Sequence, residues 1–284
     1  MEPGHRHPHG DPLTGHTDAV TGICPVTLPD GTTLIATTSW DKTVRLWNPA
    51  TGTPHGDPLT GHTDTVTGVC PVTLPDGTTL IATTSDDETV RLWNPATGTP
   101  HGDPLTDHTS AVTGVCPVTL PDGTTLIATT SWDKTVRLWN PATGTPHGDP
   151  LTGHTNWVTG VCPVTLPDGT TLIATTSDDE TVRLWNPATG TPHGDPLTGH
   201  TTWVTGICPV TLPDGTTLIA TTSDDKTVRL WNPATETQLS EALTGDHVFA
   251  AHGRLAVCTG AIIAAVDLGS FSASSATSVR VTSR

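Results

Sequence analysis

A 46-residue unit is repeated five times in this 284-residue chain, almost letter for letter. The copies start at positions 15, 61, 107, 153 and 199. A fixed period of this length is typical of an array in which each unit buries its faces against its neighbours, so one unit determines the fold of the whole. Among the first four copies only six of the 46 columns vary. One of them exchanges Ile23 for valine, as a packed interior allows, and the other five lie in two short stretches of the unit.

The composition predicts an all-β protein of one body. The chain has no tyrosine, two phenylalanines, 28 glycines and 26 prolines, so its apolar residues are mostly valine, leucine, isoleucine and tryptophan. Such a chain is rich in turn formers and β-branched residues. Its net charge of -16 would repel phosphate backbones and anionic lipids, which argues against nucleic acid and membranes as partners.

The cysteines indicate a reducing compartment. Five of the six occupy one column of successive copies, where they would point the same way in separate units and lie too far apart to form disulfides. These are Cys24, Cys70, Cys116, Cys162 and Cys208. Buried free thiols, no apolar leader after a cationic start and no run long enough to cross a bilayer predict a cytoplasmic protein.

Turn residues divide each copy into four short strands. In the first copy we expect strand a at 20–28, strand b at 33–39, strand c at 43–47 and strand d at about 55–60. The Pro29-Asp30-Gly31 turn separates a from b, and a short corner at 40–42 separates b from c. Four antiparallel strands in a unit of this length make one blade of a β-propeller.

The motifs within the unit resemble the WD-repeat (WD40) family. Each copy has a histidine before strand a, the Pro-Asp-Gly turn between a and b, and the pattern Ser-x-Asp-x-Thr-Val-Arg-Leu-Trp through b and c. The resemblance covers residues 15–244. Asparagine replaces the second letter of the name-giving Trp-Asp dipeptide in every copy, and Asp107 replaces the glycine that precedes the histidine elsewhere.

The remaining segments predict how the ring closes. Residues 245–269 are similar to a degenerate sixth unit with strands a, b and c, while residues 1–14 contain a copy of strand d at 8–14. Pairing these complementary halves would close a single six-bladed propeller, as in WD-repeat proteins. The Ser-rich tail at 270–284 is either disordered or supplies residues 277–282 as a competitor for the same edge.

A histidine, a serine and an aspartate recur in every copy and could form a hydrolase triad, such as His16, Ser39 and Asp41. Repetition argues against catalysis, because an active site needs one asymmetric pocket. The resemblance instead implies a buried hydrogen-bond chain from Asp to His to Ser to Trp in each blade. Its predicted members are His16, Ser39, Asp41, Trp47, His62, Ser85, Asp87, Trp93, His108, Ser131, Asp133, Trp139, His154, Ser177, Asp179, Trp185, His200, Ser223, Asp225 and Trp231.

A second cluster, His5, His7 and His9, could meet a metal ion in an extended strand. Because His9 belongs to the repeat and the other two lie near a terminus, we interpret this run as solvated. No metal and no cofactor are expected.

The five variable columns predict a binding face. Three of them precede strand a and two lie in the b-to-c corner. In a four-stranded meander, the connection before strand a and the b-to-c connection emerge at the same end. Four of the nine tryptophans lie there, and we expect Trp132 and Trp157 to be neighbours. The predicted face residues are Trp40, Lys42, Asp86, Glu88, Trp132, Lys134, Trp157, Asp178, Trp203 and Lys226.

Two functional hypotheses follow. The first is a monomeric, non-enzymatic scaffold or sensor that binds a protein or peptide on this face. Recently duplicated arrays of this kind resemble the sensor ends of NACHT-type (STAND) NTPases and of some WD-repeat kinases, which would make this chain a sensor piece or a free-standing paralogue. The alternative is a multivalent lectin-like propeller, which should keep the same exposed residues in each copy.

Overall fold

The computed structural model describes residues 11–212, 214–239 and 243–244, together with the backbone of strands at 247–251, 254–259, 262–267 and 281–283. The described residues form strands and turns, and none of them is helical. The all-β prediction is therefore confirmed. No helix in this part of the chain could cross a bilayer.

The first repeat shows why each unit folds into a meander. Its strands are β1 (Val20–Thr27), β2 (Thr33–Ser39), β3 (Val44–Asn48) and β4 (Thr53–Pro54). Between β1 and β2, the Leu28 amide donates to the Thr32 carbonyl at 2.8 Å. Asp30 Oδ1 accepts from the Thr32 amide at 2.8 Å, and Gly31 adopts a φ of 86°, which favours glycine.

The other strands follow the same plan. In chain order they are β5 (Val66–Thr73), β6 (Thr79–Ser85), β7 (Val90–Asn94), β8 (Thr99–Pro100), β9 (Val112–Thr119), β10 (Thr125–Ser131), β11 (Val136–Asn140), β12 (Thr145–Pro146), β13 (Val158–Thr165), β14 (Thr171–Ser177), β15 (Thr181–Asn186), β16 (Thr191–Thr198), β17 (Val204–Thr211), β18 (Thr217–Ser223), β19 (Thr227–Asn232), β20 (Thr237–Gln238), β21 (Leu243–Thr244), β22 (His247–Ala251), β23 (Arg254–Thr259), β24 (Ile262–Asp267) and β25 (Val281–Ser283).

These strands form separate antiparallel sheets, each built from strands that are consecutive in the chain. We call the five sheets of the repeats blades 1 to 5, starting with β1-β2-β3-β4. In blade 5, β21 pairs with β19 beside β20. The C-terminal sheet has the order β22-β23-β24-β25. Such sheets are consistent with propeller blades.

The hydrophobic core lies between blades as well as within them. The buried apolar side chains of blade 1 form one cluster with Val66, Ile81 and Trp93 of blade 2. The corresponding three residues of the next blade complete the clusters of blades 2, 3 and 4. The Thr21 hydroxyl also donates to the Val66 carbonyl across the first junction. Each junction is therefore built from the same side chains.

The outermost strand differs from its sequence prediction. Strand d was expected at 55–60, but in blade 1 the regular pairing is confined to Thr53–Pro54, followed by one isolated bridge between Val44 and Leu59. Gly56 has a φ of 74° and Pro58 has no amide hydrogen, but blade 4 has the same two residue types at Gly194 and Pro196, so they weaken the ladder without excluding a strand. Only blade 4 forms a continuous outer strand, β16, among the described blades.

The predicted pairing of residues 8–14 with the last sheet is also replaced. Residues 11–14 form no strand, and 8–10 lie outside the described residues. The strand that pairs with β24 is β25, which overlaps the predicted competitor 277–282 at residues 281 and 282.

The free edge of blade 1 is consistent with this arrangement. Val20 is 56% exposed and Ile23 is 69% exposed, whereas Val66 at the equivalent position of blade 2 is fully buried. Closure into a six-bladed ring stays a prediction.

Candidate functional site

A hydrogen-bond chain runs through each blade behind the variable loops. In blade 1, His16 Nδ1 lies 2.9 Å from Asp41 Oδ2, and His16 Nε2 lies 2.8 Å from Thr37 Oγ1. The indole Nε1 of Trp47 donates to the same Thr37 hydroxyl at 2.8 Å. Because the indole can only donate, the threonine hydroxyl accepts from it and gives its own hydrogen to His16 Nε2. The histidine is therefore the Nδ1-H tautomer, which donates to Asp41.

The sequence prediction of a serine in this chain is wrong. The bridging residue is threonine in all five blades, at Thr37, Thr83, Thr129, Thr175 and Thr221. Ser39 holds the corner instead. Its hydroxyl donates to the Asp18 carbonyl at 3.2 Å and accepts from the Asp41 amide at 3.0 Å. Ser85, Ser131, Ser177 and Ser223 do the same in their own blades.

The remaining predicted members meet in the same way in every blade. The histidine-to-aspartate distances are 3.0 Å for His62 and Asp87, 2.7 Å for His108 and Asp133, 2.8 Å for His154 and Asp179, and 2.9 Å for His200 and Asp225. The indoles of Trp93, Trp139, Trp185 and Trp231 all donate to the bridging threonine. Serine is not in contact with histidine in this arrangement, so the geometry of a serine nucleophile and its base is not formed.

The aspartates of the chain are held ionised. Burial raises the pKa of Asp41, but hydrogen bonds from Thr43, the Thr17 amide and His16 outweigh it and keep the pKa well below its usual range. The same balance lowers the pKa of Asp225 to about 2. Burial lowers the pKa of His200, which favours a neutral imidazole. Through these hydrogen bonds the side chains hold the loop before strand a, the b-to-c corner and the third strand together, so their role is structural.

The two variable stretches meet at one end of each blade. In blade 1 the Trp40 amide donates to the Ala19 carbonyl at 3.0 Å, which joins the b-to-c corner to the loop before strand a. The third corner residue adopts a left-handed conformation, with a φ of 67° for Lys42 and 68° for Glu88. Both side chains are exposed, so lysine and glutamate exchange freely at this position.

The lysine corners of blades 1 and 3 also reach the next blade. Lys42 Nζ donates to the Thr63 carbonyl at 2.7 Å, and Lys134 Nζ donates to the Thr155 carbonyl at 2.9 Å. Lys42 Nζ also lies 3.8 Å from Asp64 Oδ1, an exposed ion pair worth little. The corner of one blade and the first loop of the next therefore form a continuous surface, which we call the variable face.

An exposed aromatic pair lies on this face. The rings of Trp132 in blade 3 and Trp157 in blade 4 are stacked, with centroids 4.5 Å apart and planes 16° from parallel. The two side chains remain 39% and 42% exposed. Trp203 in blade 5 is 53% exposed, and Trp40 in blade 1 is 56% exposed.

The ten predicted face residues are all exposed or half-buried. Their positions are Trp40, Lys42, Asp86, Glu88, Trp132, Lys134, Trp157, Asp178, Trp203 and Lys226. Burial and the neighbouring Asp64 and Asp87 raise the pKa of Asp86. Burial, Asp224 and Asp179 raise the pKa of Asp178. The face thus places carboxylates close to other carboxylates, beside tryptophan rings.

A cavity of about 320 Å³ lies among the first strands of the five blades. Repeated glycine, threonine and branched aliphatic residues line it, as at Gly22, Thr113 and Val115. Its lining, among the residues that the structure describes, includes no acid, base or thiol. Among the described residues no group of three or more histidines, cysteines and acids could hold a metal, and His5, His7 and His9 lie outside them.

Comparison with known proteins agrees with this repeat architecture. No curated protein matches the chain. The WD40 family (WD domain, G-beta repeat) matches it five times, at residues 10–48, 54–94, 100–140, 146–186 and 192–232. These five matches cover most of the chain and coincide with the five blades, so the protein belongs to the WD-repeat family.

Proposed function

We propose that this protein is a non-enzymatic scaffold or sensor that binds a protein or peptide on the variable face. WD40 repeats indicate an interaction scaffold. The observation that carries the finer proposal is the stacked pair of Trp132 and Trp157, which remains exposed where the copies differ. Large exposed aromatic surface mainly serves recognition, because tryptophans are enriched among the anchors of interfaces.

The variation supports a partner that contacts several blades at once. Tryptophan, aspartate and small residues alternate in the same columns, while the opposite face repeats the same turn in all five units. A lectin with one sugar site per blade would gain from repeating its exposed aromatics in every blade, whereas each of these two columns has tryptophan in only two of the five repeats. The protein-binding proposal is therefore favoured over the lectin alternative. A sensor piece or paralogue of a NACHT-type NTPase or kinase, acting as a monomer, remains the expected context.

The experiment compares capture of partners from an extract of the source cells with binding to a glycan array. Trp132→Ala, Trp157→Ala and Trp203→Ala should each weaken the captured complex by about 1 to 4 kcal/mol, as anchor residues do. Thr51→Ala, on the opposite face, is the control and should be nearly neutral. Trp40→Ala removes the same side chain from blade 1 and shows whether the partner reaches that blade. Binding that is indifferent to the three tryptophans but lost with Thr51→Ala would contradict the proposal.

A further inference from the structure

Aromatic rings and carboxylates alternate along the variable face of blades 4 and 5. The Asp178 amide donates to the Trp157 carbonyl at 2.9 Å, and the Asp224 amide donates to the Trp203 carbonyl at 3.0 Å. Each tryptophan is thus held next to an aspartate of its own blade. We call these four residues the Trp-Asp arc. The Trp132 ring, stacked on Trp157, extends the arc into blade 3.

The two carboxylates of the arc repel each other. Asp178 is half-buried, and after burial the largest cause of its raised pKa is the charge of Asp224 in the next blade. Glu180 adds a further exposed carboxylate at the corner of blade 4. Like charges held together by a rigid scaffold are relieved when a cation is placed between them. The arc is therefore preorganised for positive charge.

The lysines of this face leave the carboxylate charge of the arc in place. Lys134 Nζ donates to the Thr155 carbonyl in the first loop of blade 4, and Lys226 is exposed at the corner of blade 5, but burial and the neighbouring carboxylates still raise the pKa of Asp178. The corner of blade 4 carries Glu180 in the column of these lysines. With a net charge of -16, the whole chain also attracts basic partners over longer distances.

We propose that the Trp-Asp arc binds an arginine-rich segment of a partner protein, with guanidinium groups on the faces of Trp157 and Trp203 and paired with Asp178 and Asp224. This inference rests on the proposed function and specifies the chemistry of the partner. A guanidinium stacks on indole rings and forms bidentate hydrogen bonds with carboxylates, and it is more weakly hydrated than an ammonium group. Arginine should therefore be preferred over lysine.

The test uses the full chain and fluorescein-labelled nonapeptides in which glycine alternates with arginine, lysine, glutamate or leucine. Fluorescence anisotropy at low ionic strength should give the tightest binding for the arginine peptide, weaker binding for lysine and none for glutamate or leucine. Asp178→Asn and Trp203→Ala should each weaken arginine-peptide binding about tenfold. Added salt should weaken it further.

Asp76→Asn is the matched control. Asp76 lies in the Pro-Asp-Gly turn of blade 2 on the opposite face, is exposed, and accepts a hydrogen bond from the Thr78 amide at 2.8 Å, which an asparagine oxygen can also accept. Its substitution removes one charge from the protein without touching the variable face, so binding should change less than twofold. Thermal melts of all three variants should match the parent, because these side chains lie at the surface.

Two results would overturn the inference. If Asp76→Asn weakens binding as much as Asp178→Asn, the peptide responds to net charge alone. If the leucine or glutamate peptide binds as tightly as the arginine peptide, the arc is not selective for cations. In either case, loss of a captured partner in Trp157→Ala would leave the proposed function standing. Retention of that partner in all three tryptophan variants would remove the proposed function itself.

Discussion

The nine tryptophans divide into two sets that differ in burial. The five in the third strands of the blades are at most 2% exposed, while Trp40, Trp132, Trp157 and Trp203 are 39% to 56% exposed. The buried set is identical in every copy. The exposed set occurs at Trp40 and Trp132 in the corner column and at Trp157 and Trp203 in the column before strand a.

This difference shows which constraints act on each set. Trp93 packs into the cluster of blade 1 and donates a hydrogen bond inside blade 2, so its loss would affect two blades. Trp132 has aspartate as its counterpart in blade 2, at Asp86, and the corner hydrogen bonds there are the same. The repeats thus already contain the substitutions that the fold tolerates.

The largest effect on stability should come from replacing a tryptophan of the buried set rather than one of the exposed set. Trp93→Ala should lower the free energy of unfolding by about 3 to 5 kcal/mol, because a large buried aromatic leaves a cavity at a blade junction. Trp132→Asp, which copies the residue of blade 2, should cost only about 0.5 to 1.5 kcal/mol, the value of its stacking on Trp157. Chemical denaturation of both variants measures the contrast. Equal losses would show that the exposed set is also structural.

A slightly smaller effect should follow from removing the hydroxyl that the buried tryptophan needs. Thr129→Val keeps the shape of the side chain but leaves Trp139 Nε1 and His108 Nε2 without their partner. Each unsatisfied buried group costs about 1 to 3 kcal/mol. Thr143→Val, at an exposed loop, is the control and should be nearly neutral. If Thr129→Val leaves the free energy of unfolding unchanged, the hydrogen bonds of Thr129 with Trp139 and His108 are not formed.

The third prediction extends the comparison to the edge of blade 1. Val66 is fully buried and Val20 is mostly exposed in the same column. Val66→Ala should destabilise the protein by about 1.5 kcal/mol, through the loss of two buried carbon groups. Val20→Ala should have almost no effect. Similar losses from both substitutions would reveal that another sheet covers blade 1 and that the ring is closed.

The smallest expected effect is a dependence on acid. The pKa of Asp225 in the folded protein is about 2, below its ordinary value near 3.9. Its contribution to stability is therefore complete above about pH 4 and is lost as the pH falls towards 2. Denaturation midpoints measured from pH 6 to pH 2 should fall less in Asp225→Asn than in the parent. Asp178→Asn should not reduce this fall, because the pKa of Asp178 is shifted upwards.

The sequence alone predicted the blades well, because the repeat and the turn residues set their boundaries. Strands a, b and c of the first copy were placed to within one residue of β1, β2 and β3. The expected contact between Trp132 and Trp157 is confirmed by their stacking. This contact could be predicted because, in a propeller of meanders, the b-to-c corner of one blade lies next to the loop before strand a of the following blade.

Other features depend on geometry that the pattern does not contain. Thr37 and Ser39 lie two residues apart on one strand, so both point to the same side of the sheet. Only the register, in which Thr37 pairs with Arg45 and Ile35 with Trp47, decides which hydroxyl meets the indole. Among the described blades, the outer strand is continuous over its predicted residues in blade 4, while in blade 1 regular pairing is confined to Thr53–Pro54. Closure at the edge of the last sheet stays a prediction.

The identical junctions between blades have a consequence for inheritance. Whichever two consecutive units meet, the second contributes the same valine, isoleucine and tryptophan to the cluster of the first. An unequal crossover between two copies in the gene would delete or add one whole unit and recreate a junction that the protein already contains. The order of tryptophans and aspartates along the row of blades would change, while the packing beneath them would not. Such a gene can change the recognition surface of its protein by exchanging units, while the hydrophobic core stays the same.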